Sequence, residues 1–187
     1  WAYDTRPHWR KILKDGTPDP VNGVWARVCV NTPYKEELVL PQCEEIARYY
    51  DTDGFFIDIP FAMDCYCPYC RSKFRQLHGK ELESAPQEEA AEFWQNSTAR
   101  FLKELRQILH RYNPALTIVT NSAWTLAAAR TFSEQSDIGV WESQPHNGYL
   151  SHSFACRSVR TLDRPVQVMS VRFYQGWGDL SLKPTAQ

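Results

Sequence analysis

The sequence predicts an α/β protein built on a parallel β-sheet, and two observations lead to this prediction. Short apolar runs rich in β-branched and aromatic residues alternate along the chain with longer segments of helical periodicity. The connections between them are short, which is typical of consecutive βαβ units. With 187 residues, of which 43% are hydrophobic, the chain is long enough for one domain, 1–187, with a substantial core.

The first half of the chain is predicted to contain two strands and three helices. Residues 1–23 have no hydrophobic period, so we expect an irregular N-terminal loop there. Trp25–Val30 is a β-branched run, and Gly54–Ile59 is a nearly continuous apolar run of the kind found in strands covered on both faces. A helix is predicted from Thr32 to Tyr50, and Pro41 must kink or restart this helix. A second, short helix ends near His78, and a third runs from Ser84 to Tyr112.

The second half of the chain continues the alternation. Strands are predicted over Leu116–Thr120, Ile138–Trp141 and Val166–Val171, and helices over Leu126–Phe132 and Gly148–Leu162. Five strands are fewer than the eight of a complete barrel, which needs about 250 residues. We therefore predict a parallel (β/α)8 TIM barrel that is incomplete, with an open doubly wound sheet as the alternative. No Gly-rich phosphate loop follows any strand, which disfavours a nucleotide-binding version of that alternative.

Composition and charge exclude several classes of partner. The formal net charge is −1 and there is no basic run, so we expect no nucleic-acid partner. No uncharged apolar stretch is long enough to span a membrane, and the first residues are not a signal peptide. The missing start methionine suggests either an excised piece of a longer protein or a processed form. Further domains of that protein, or a homo-oligomer, stay open as partners.

Polar residues stand where the predicted strands end. They are Asn31, Asp58, Asn121, Glu142 and Arg172. In barrels the carboxyl ends of the strands build the active site, although such positions also become polar simply on reaching solvent. Asp58 has an isoleucine on either side, so we expect a buried carboxylate there, which is costly unless it is paired or catalytic.

Two carboxylates at one barrel mouth are what glycoside cleavage requires. Asp58 and Glu142 lie on strands two apart in order, so their side chains can converge. Arg172 can then hold Glu142 or a substrate hydroxyl, and His146 or His152 can line the pocket, although a lone histidine is more often structural.

The cysteines suggest a metal site. Cys65, Cys67 and Cys70 form a CxCxxC motif, and Cys29, near the end of the neighbouring predicted strand, is the best fourth ligand. Four thiolates make a closed, structural zinc site, so we expect no cofactor for catalysis, and a zinc-dependent hydrolase is disfavoured. A disulfide pair or free buried thiols are the alternatives. Free thiols and the lack of a signal peptide favour the cytoplasm.

Several of these motifs together resemble a known group. They are Trp25 to Tyr34, Tyr50 to Asp58, Cys65 to Phe74, Trp141-Glu142 and Trp177-Gly178-Asp179. This set resembles the barrel of the hypothetical glycosyl hydrolase 6 group, which is related to family 151 α-L-fucosidases. The cysteine motif with Cys29 upstream is similar to the zinc cluster of family 42 β-galactosidases.

The resemblance implies a retaining, α-L-fucosidase-like glycoside hydrolase acting on a carbohydrate. If the predicted strands are barrel strands three to seven, Asp58 ends strand four, where fucosidases of the family 29 type carry the nucleophile, and Glu142 is the acid/base. The residues expected to bind the sugar are Asn31, Asn121, Arg172, Trp177 and His146.

Two alternatives to this function stand beside it. A β-galactosidase-like hydrolase is one, but family 42 enzymes carry Asn-Glu at the end of strand four, where this chain has Asp58-Ile-Pro. A non-catalytic carbohydrate-binding or scaffold module on a degenerate barrel is the other.

Overall fold

The computed structural model describes residues 2–21, 26–60, 64–121, 135–143, 150–161 and 165–170. The chain divides into two compact units. Unit 1 comprises Trp1–Thr52 and Phe61–Ala115, and unit 2 comprises Asp53–Pro60 and Leu116–Gln187. Unit 1 contains most of the helices and the CxCxxC motif, and unit 2 contains the sheet.

Unit 2 is built on a four-stranded parallel sheet. Its strands are β1 (Gly54–Ile57), β2 (Thr117–Asn121), β3 (Ile138–Ser143) and β4 (Val166–Ser170), and they lie side by side in chain order. Neighbouring parallel strands in chain order are the arrangement of a (β/α) barrel segment. The α/β class and the partial-barrel prediction are confirmed.

Unit 2 also contains one helix in its described residues, Ser151–Val159. It is numbered α5 because four helices precede it in the chain. It connects β3 to β4, and the rings of Phe154 and Trp141 meet edge to face at 6.4 Å. The helix predicted over Leu126–Phe132 lies outside the described residues.

One of the five predicted strands is not a strand in the described part of the chain. Within Trp25–Val30, residues 26–30 make one isolated antiparallel bridge, between Val28 and Arg10. The Cys29 amide donates to the Trp9 carbonyl at 2.9 Å, and the Cys29 carbonyl accepts from the Thr32 amide and hydroxyl. These bonds turn the chain at Cys29, which overrides the β-propensity of its neighbours.

Unit 1 is helical. A π-helical turn, Lys35–Val39, leads into α2 (Leu40–Tyr49), and Pro41 lies in the first turn of α2, where its missing N–H costs nothing. Helical backbone runs from Val39 through Leu40, and the change from the π-helical turn to α2 at Leu40 lies next to the proline predicted to kink or restart the helix. The other long helices are α3 (Pro68–His78) and α4 (Gln87–Leu109). Gly79 ends α3 in the left-handed conformation, with φ +68°.

The core of unit 1 lies along one face of α4. Its buried side chains recur at helical spacing: Ala90, Phe93, Trp94, Ser97, Thr98, Phe101, Leu102, Leu105 and Leu109. Phe74 of α3 packs edge to face on Phe93, with ring centroids 5.3 Å apart. The two helices therefore share one aromatic core.

The N-terminal segment of unit 1 is more ordered than an irregular loop. It forms a short helix, α1 (Ala2–Thr5), a 3-10 turn (Pro7–Trp9), and an isolated bridge between Ile12 and Pro18. Trp9 is buried here, and buried backbone needs hydrogen-bond partners, which these turns supply. Among the described residues, no helix combines the length and apolar character needed to cross a membrane.

Candidate metal centre and candidate catalytic edge

The four cysteines predicted to bind a metal come together in unit 1. Cys29 lies in the turn described above, Cys65 and Cys67 lie in the loop before α3, and Cys70 lies in the first turn of α3. Cys67 is the N-cap of α3, and Pro68 follows it at the start of the helix. The loop and helix start thus bring three thiols to one point, and the turn at Cys29 adds the fourth.

The cluster is compact and dry. The four sulfur atoms all lie within 4.8 Å of one another, and no side chain of the four is more than 1% exposed. Cys29 Sγ and Cys70 Sγ are 3.4 Å apart, well beyond the S–S bond length of about 2.05 Å. All four are free thiols. These residues can therefore hold a metal ion.

Proton sharing within the cluster splits the pKa values of its thiols. Hydrogen bonds from Cys29 lower the pKa of Cys65 and of Cys67, whereas hydrogen bonding within the cluster raises the pKa of Cys29 and of Cys70. Four buried thiols in contact thus hold their protons jointly, and a bound cation would displace those protons.

Backbone contacts hold the cysteine loop in place. The Tyr66 amide donates to the Ile12 carbonyl at 2.8 Å, which ties the loop to the N-terminal segment. The indole N–H of Trp94 on α4 donates to the Cys65 carbonyl at 3.1 Å. The cluster is therefore supported from two sides by the rest of unit 1.

Asn31, predicted to bind the sugar, lies against this cluster. Its Nδ2 donates to Cys70 Sγ at 3.3 Å and to Ser97 Oγ at 3.0 Å, and its Oδ1 accepts from Lys73 Nζ at 3.0 Å. Sequence reasoning missed Ser97 and Lys73 as neighbours of the cluster. Lys73 could have been found, because it follows Cys70 by three residues on one helix, a spacing that shares a face.

The second candidate site is the carboxyl edge of the sheet in unit 2. Asp58 follows β1 directly, and its Oδ1 accepts a hydrogen bond of 2.7 Å from Nδ2 of Asn121, the last residue of β2. The two predicted site residues are thus brought together. The Asp58 side chain is exposed, so the expectation of a buried carboxylate is wrong. Phe56 of β1, two residues before Asp58, is 50% exposed, and β1 is an outer strand of the described sheet.

The backbone after Asp58 is strained. Ile59 has φ +47°, a conformation that a β-branched residue rarely adopts, and Pro60 follows it. Such strain costs about 1–3 kcal/mol and persists only where the surrounding structure enforces it, which is common at functional sites.

Glu142 lies in β3, paired in register with Met169 of β4. Asn121 pairs with Val140, so position 142 is two residues further toward the carboxyl end, and residues two apart share a face of a strand. The Glu142 side chain lies outside the described part of the structure, as do Arg172, Trp177 and His146.

Comparison with known proteins gives one kind of match. No family model matches the chain, and no curated protein matches it. Among solved structures, α-L-fucosidase isoenzyme 2 from Paenibacillus thiaminolyticus is similar to 95% of this chain, with a TM-score of 0.76 and 24% sequence identity. The match takes in 27% of that protein, so the chain spans about a quarter of its length. At this identity the likeness shows a shared fold.

Proposed function

We propose that the chain is part of the catalytic barrel of a retaining glycoside hydrolase, with Asp58 as nucleophile and Glu142 as acid/base. The observation that carries the proposal is the carboxylate of Asp58 at the carboxyl edge of a parallel sheet, held by Asn121 of the next strand. Active sites of barrel enzymes form at this edge. The strained Ile59 and the presence of Glu142 two strands away support it further.

The proposed reaction has two steps. In the first, an Asp58 oxygen attacks the anomeric carbon, the bond from that carbon to the leaving oxygen breaks, and Glu142 gives its proton to that oxygen. In the second, Glu142 takes a proton from water, the water oxygen bonds to the anomeric carbon, and the Asp58 carboxylate is released. Asn121 orients the Asp58 carboxylate through its hydrogen bond.

The spacing of the strands is compatible with this pairing. Neighbouring strands lie about 4.8 Å apart, so β1 and β3 are separated by roughly 10 Å across the sheet. Extending the register makes Asp58 level with Val140, two residues before Glu142. Two side chains reaching across this gap can approach either the separation of about 5 Å that gives retention or the roughly 6.5–9.5 Å that gives inversion. The strand spacing thus permits the retaining mechanism proposed here.

The substrate class follows from the structural neighbour. That protein is an α-L-fucosidase, so we propose an α-L-fucoside as the substrate. The residues proposed to contact the sugar are Asn31, Asn121, Arg172, Trp177 and His146. For Asn31 such a contact would compete with its hydrogen bonds at the thiol cluster.

We propose zinc for the thiol cluster, held by Cys29, Cys65, Cys67 and Cys70. Zn–S bonds of about 2.3 Å in a tetrahedron place sulfurs roughly 3.8 Å apart, which agrees with the compact cluster. Four thiolates leave no open position, so the ion would stabilise the fold rather than activate water.

The test is hydrolysis of an aryl α-L-fucoside by the full-length protein and two variants. Removal of the acid/base in Glu142→Gln is expected to lower kcat about 10²–10⁴-fold for a poor leaving group, because that oxygen then leaves unprotonated. Asp58→Ala is expected to reduce turnover to background. Asp51→Asn, an exposed aspartate before the amino end of β1, is the matched control and should keep full activity.

Azide and an activated leaving group distinguish the nucleophile role of Asp58 from the acid/base role of Glu142. In Asp58→Ala, azide can attack the anomeric carbon in place of the missing carboxylate and give a β-fucosyl azide with rate recovery. A 2,4-dinitrophenyl leaving group needs no proton, so Glu142→Gln should recover its first step on such a substrate. Full activity in both variants would overturn the proposed mechanism.

A non-catalytic carbohydrate-binding module is the second candidate. It is favoured by the exposure of Asp58 and by the coverage of about a quarter of the neighbour's length. Binding of fucose measured by calorimetry, with no release of aryl alcohol after long incubation, would select this function instead.

A further inference from the structure

The proposed metal site would carry a net negative charge. Four thiolates carry four negative charges and a divalent ion neutralises two of them. The remaining two negative charges would lie in a cluster that solvent does not reach. Buried charge is costly unless hydrogen bonds or opposite charges compensate it. The compensation must therefore come from groups of the chain itself.

We propose that Asn31 and Lys73 form a positioning pair that delivers this compensation and sets the affinity of the thiol cluster for its metal. The inference rests on the proposed metal site. It assigns to Asn31 a role at the cluster, whether or not Asn31 also contacts a sugar.

Asn31 donates hydrogen bonds to two sulfur atoms of the cluster. Its backbone amide donates to Cys29 Sγ at 3.4 Å, and its side-chain Nδ2 donates to Cys70 Sγ at 3.3 Å. Donors to a thiolate draw off its negative charge and hold its orientation. These two sulfurs are 3.4 Å apart, so their like charges would lie close together in the metal-bound cluster.

The amide of Asn31 is fixed by its remaining bonds. Ser97, buried on α4, accepts from Nδ2 at 3.0 Å, and Lys73 of α3 donates to Oδ1 at 3.0 Å. Both the oxygen and the nitrogen of the amide are thus engaged, which fixes which end faces Cys70. The positive charge of Lys73 on the oxygen polarises the amide and makes its N–H a stronger donor.

Lys73 stands in a cation-rich, half-buried position. Burial lowers the pKa of Lys73, and the nearby charges of Arg100 and Lys35 lower it further, while Glu104 and then Cys70 act in the opposite direction. Keeping the ammonium group of a lysine charged in such surroundings costs free energy unless negative charge lies close by. Glu104 supplies part of that charge, and a cluster of metal-bound thiolates would supply more.

The test uses zinc affinity, measured by competition with a chromophoric chelator. Asn31→Asp keeps the side-chain shape and the acceptor for Lys73 but replaces the donor to Cys70 with negative charge. Lys73→Met removes the cation and keeps the apolar stem. Loss of such outer contacts typically costs 10–100-fold in metal affinity, and we expect a loss in this range for Asn31→Asp and a smaller one for Lys73→Met.

Matched controls come from the same unit. Asn113→Asp changes an exposed asparagine whose Oδ1 still accepts from the Ala115 amide, and Lys103→Met changes an exposed lysine of α4. Neither should alter zinc affinity. A merely structural role of Asn31 would lower stability without changing the metal's electronic environment.

Cobalt provides that electronic readout. With Co²⁺ in place of zinc, removal of the Nδ2–H···Sγ bond should shift the thiolate-to-cobalt charge-transfer band to longer wavelength, because the sulfur lone pair rises in energy. Wild-type zinc affinity and an unshifted cobalt band in Asn31→Asp would overturn the inference while leaving the metal site intact. A wild-type protein that takes up neither metal would overturn the metal site and, with it, the inference.

Discussion

Asp19 is a buried carboxylate that anchors the N-terminal segment of unit 1. It is 4% exposed, and its oxygens lie 3.2 Å from Lys11 Nζ and 3.1 Å from Arg27 Nη1. Burial alone would raise the pKa of Asp19, but hydrogen bonds from Arg27 and Lys11 and their charges outweigh it, so the pKa is lowered. The same segment holds the cysteine loop through Ile12, so this ion cluster supports the candidate metal centre.

Asp19→Asn is expected to lower the free energy of unfolding by about 1.5–3 kcal/mol at pH 7, the range for hydrogen bonds to charged groups. Because the folded-state pKa is depressed, this stabilisation is present above the unfolded pKa of about 3.9 and is lost as the pH falls through the folded value. Urea denaturation at neutral and acidic pH measures the effect. A difference between wild type and variant that did not shrink toward low pH would contradict the assignment.

Single residues illustrate what the sequence could and could not foretell. The CxCxxC spacing predicted that three thiols lie together, and Cys29 is the correct fourth thiol, although the strand from which it was predicted is not formed in residues 26–30. The burial expected for Asp58 was wrong, because apolar neighbours in sequence do not reveal that β1 is an outer strand. The contacts of Asn31 with Ser97 and Cys70 depend on tertiary packing between α3, α4 and the turn at Cys29, for which the sequence carries no periodic signal.

The pairing of β1 with β2 depends on a glycine. At Gly54 a Cβ atom would stand 2.2 Å from Thr117 Oγ1 and 2.6 Å from the Thr117 carbonyl oxygen. Both are closer than real Cβ contacts, so another side chain there must push the strands apart. The strand that leads to Asp58 therefore requires glycine at its first position.

Gly54→Ala is expected to destabilise the protein by about 1–3 kcal/mol, the usual cost of overpacking. Trimming the partner in Gly54→Ala/Thr117→Ala should not restore stability, because the carbonyl oxygen of residue 117 remains in the way. Thermal denaturation of both variants measures this. Recovery in the double variant would mean that the hydroxyl alone causes the clash.

Elements with strong periodicity were predictable, and short ones were not. The extent of α4 and the end of α3 at Gly79 follow from apolar spacing and a glycine stop, and four strands follow from apolar runs. Trp25–Val30 looked equally strand-like. Its conformation is set by two hydrogen bonds of Cys29, whose amide donates to the Trp9 carbonyl and whose carbonyl accepts from the Thr32 amide, and local propensity cannot report either bond.

Removal of the proposed metal is expected to destabilise unit 1 before it destabilises unit 2. Apparent zinc-binding free energies of about 10–16 kcal/mol in zinc-finger peptides rival the whole stability of a domain, about 5–15 kcal/mol. After treatment with a chelator, we expect hydrogen exchange to accelerate around Cys29 and across α3, with the amides of β2 and β3 retaining protection. Equal acceleration in both units, or none in α3, would contradict a structural metal in the cluster.

The four thiols are not synthesised together. Cys29 leaves the ribosome well before Cys65, Cys67 and Cys70, which emerge close together with the first turn of α3. A nascent chain therefore presents Cys29, and then Cys43, before the other three thiols of the cluster arrive, so an oxidant or electrophile met in that interval reaches Cys29 while the cluster is still incomplete. We therefore expect formation of the four-thiol cluster to depend on the redox state around the nascent chain during translation, as well as after release.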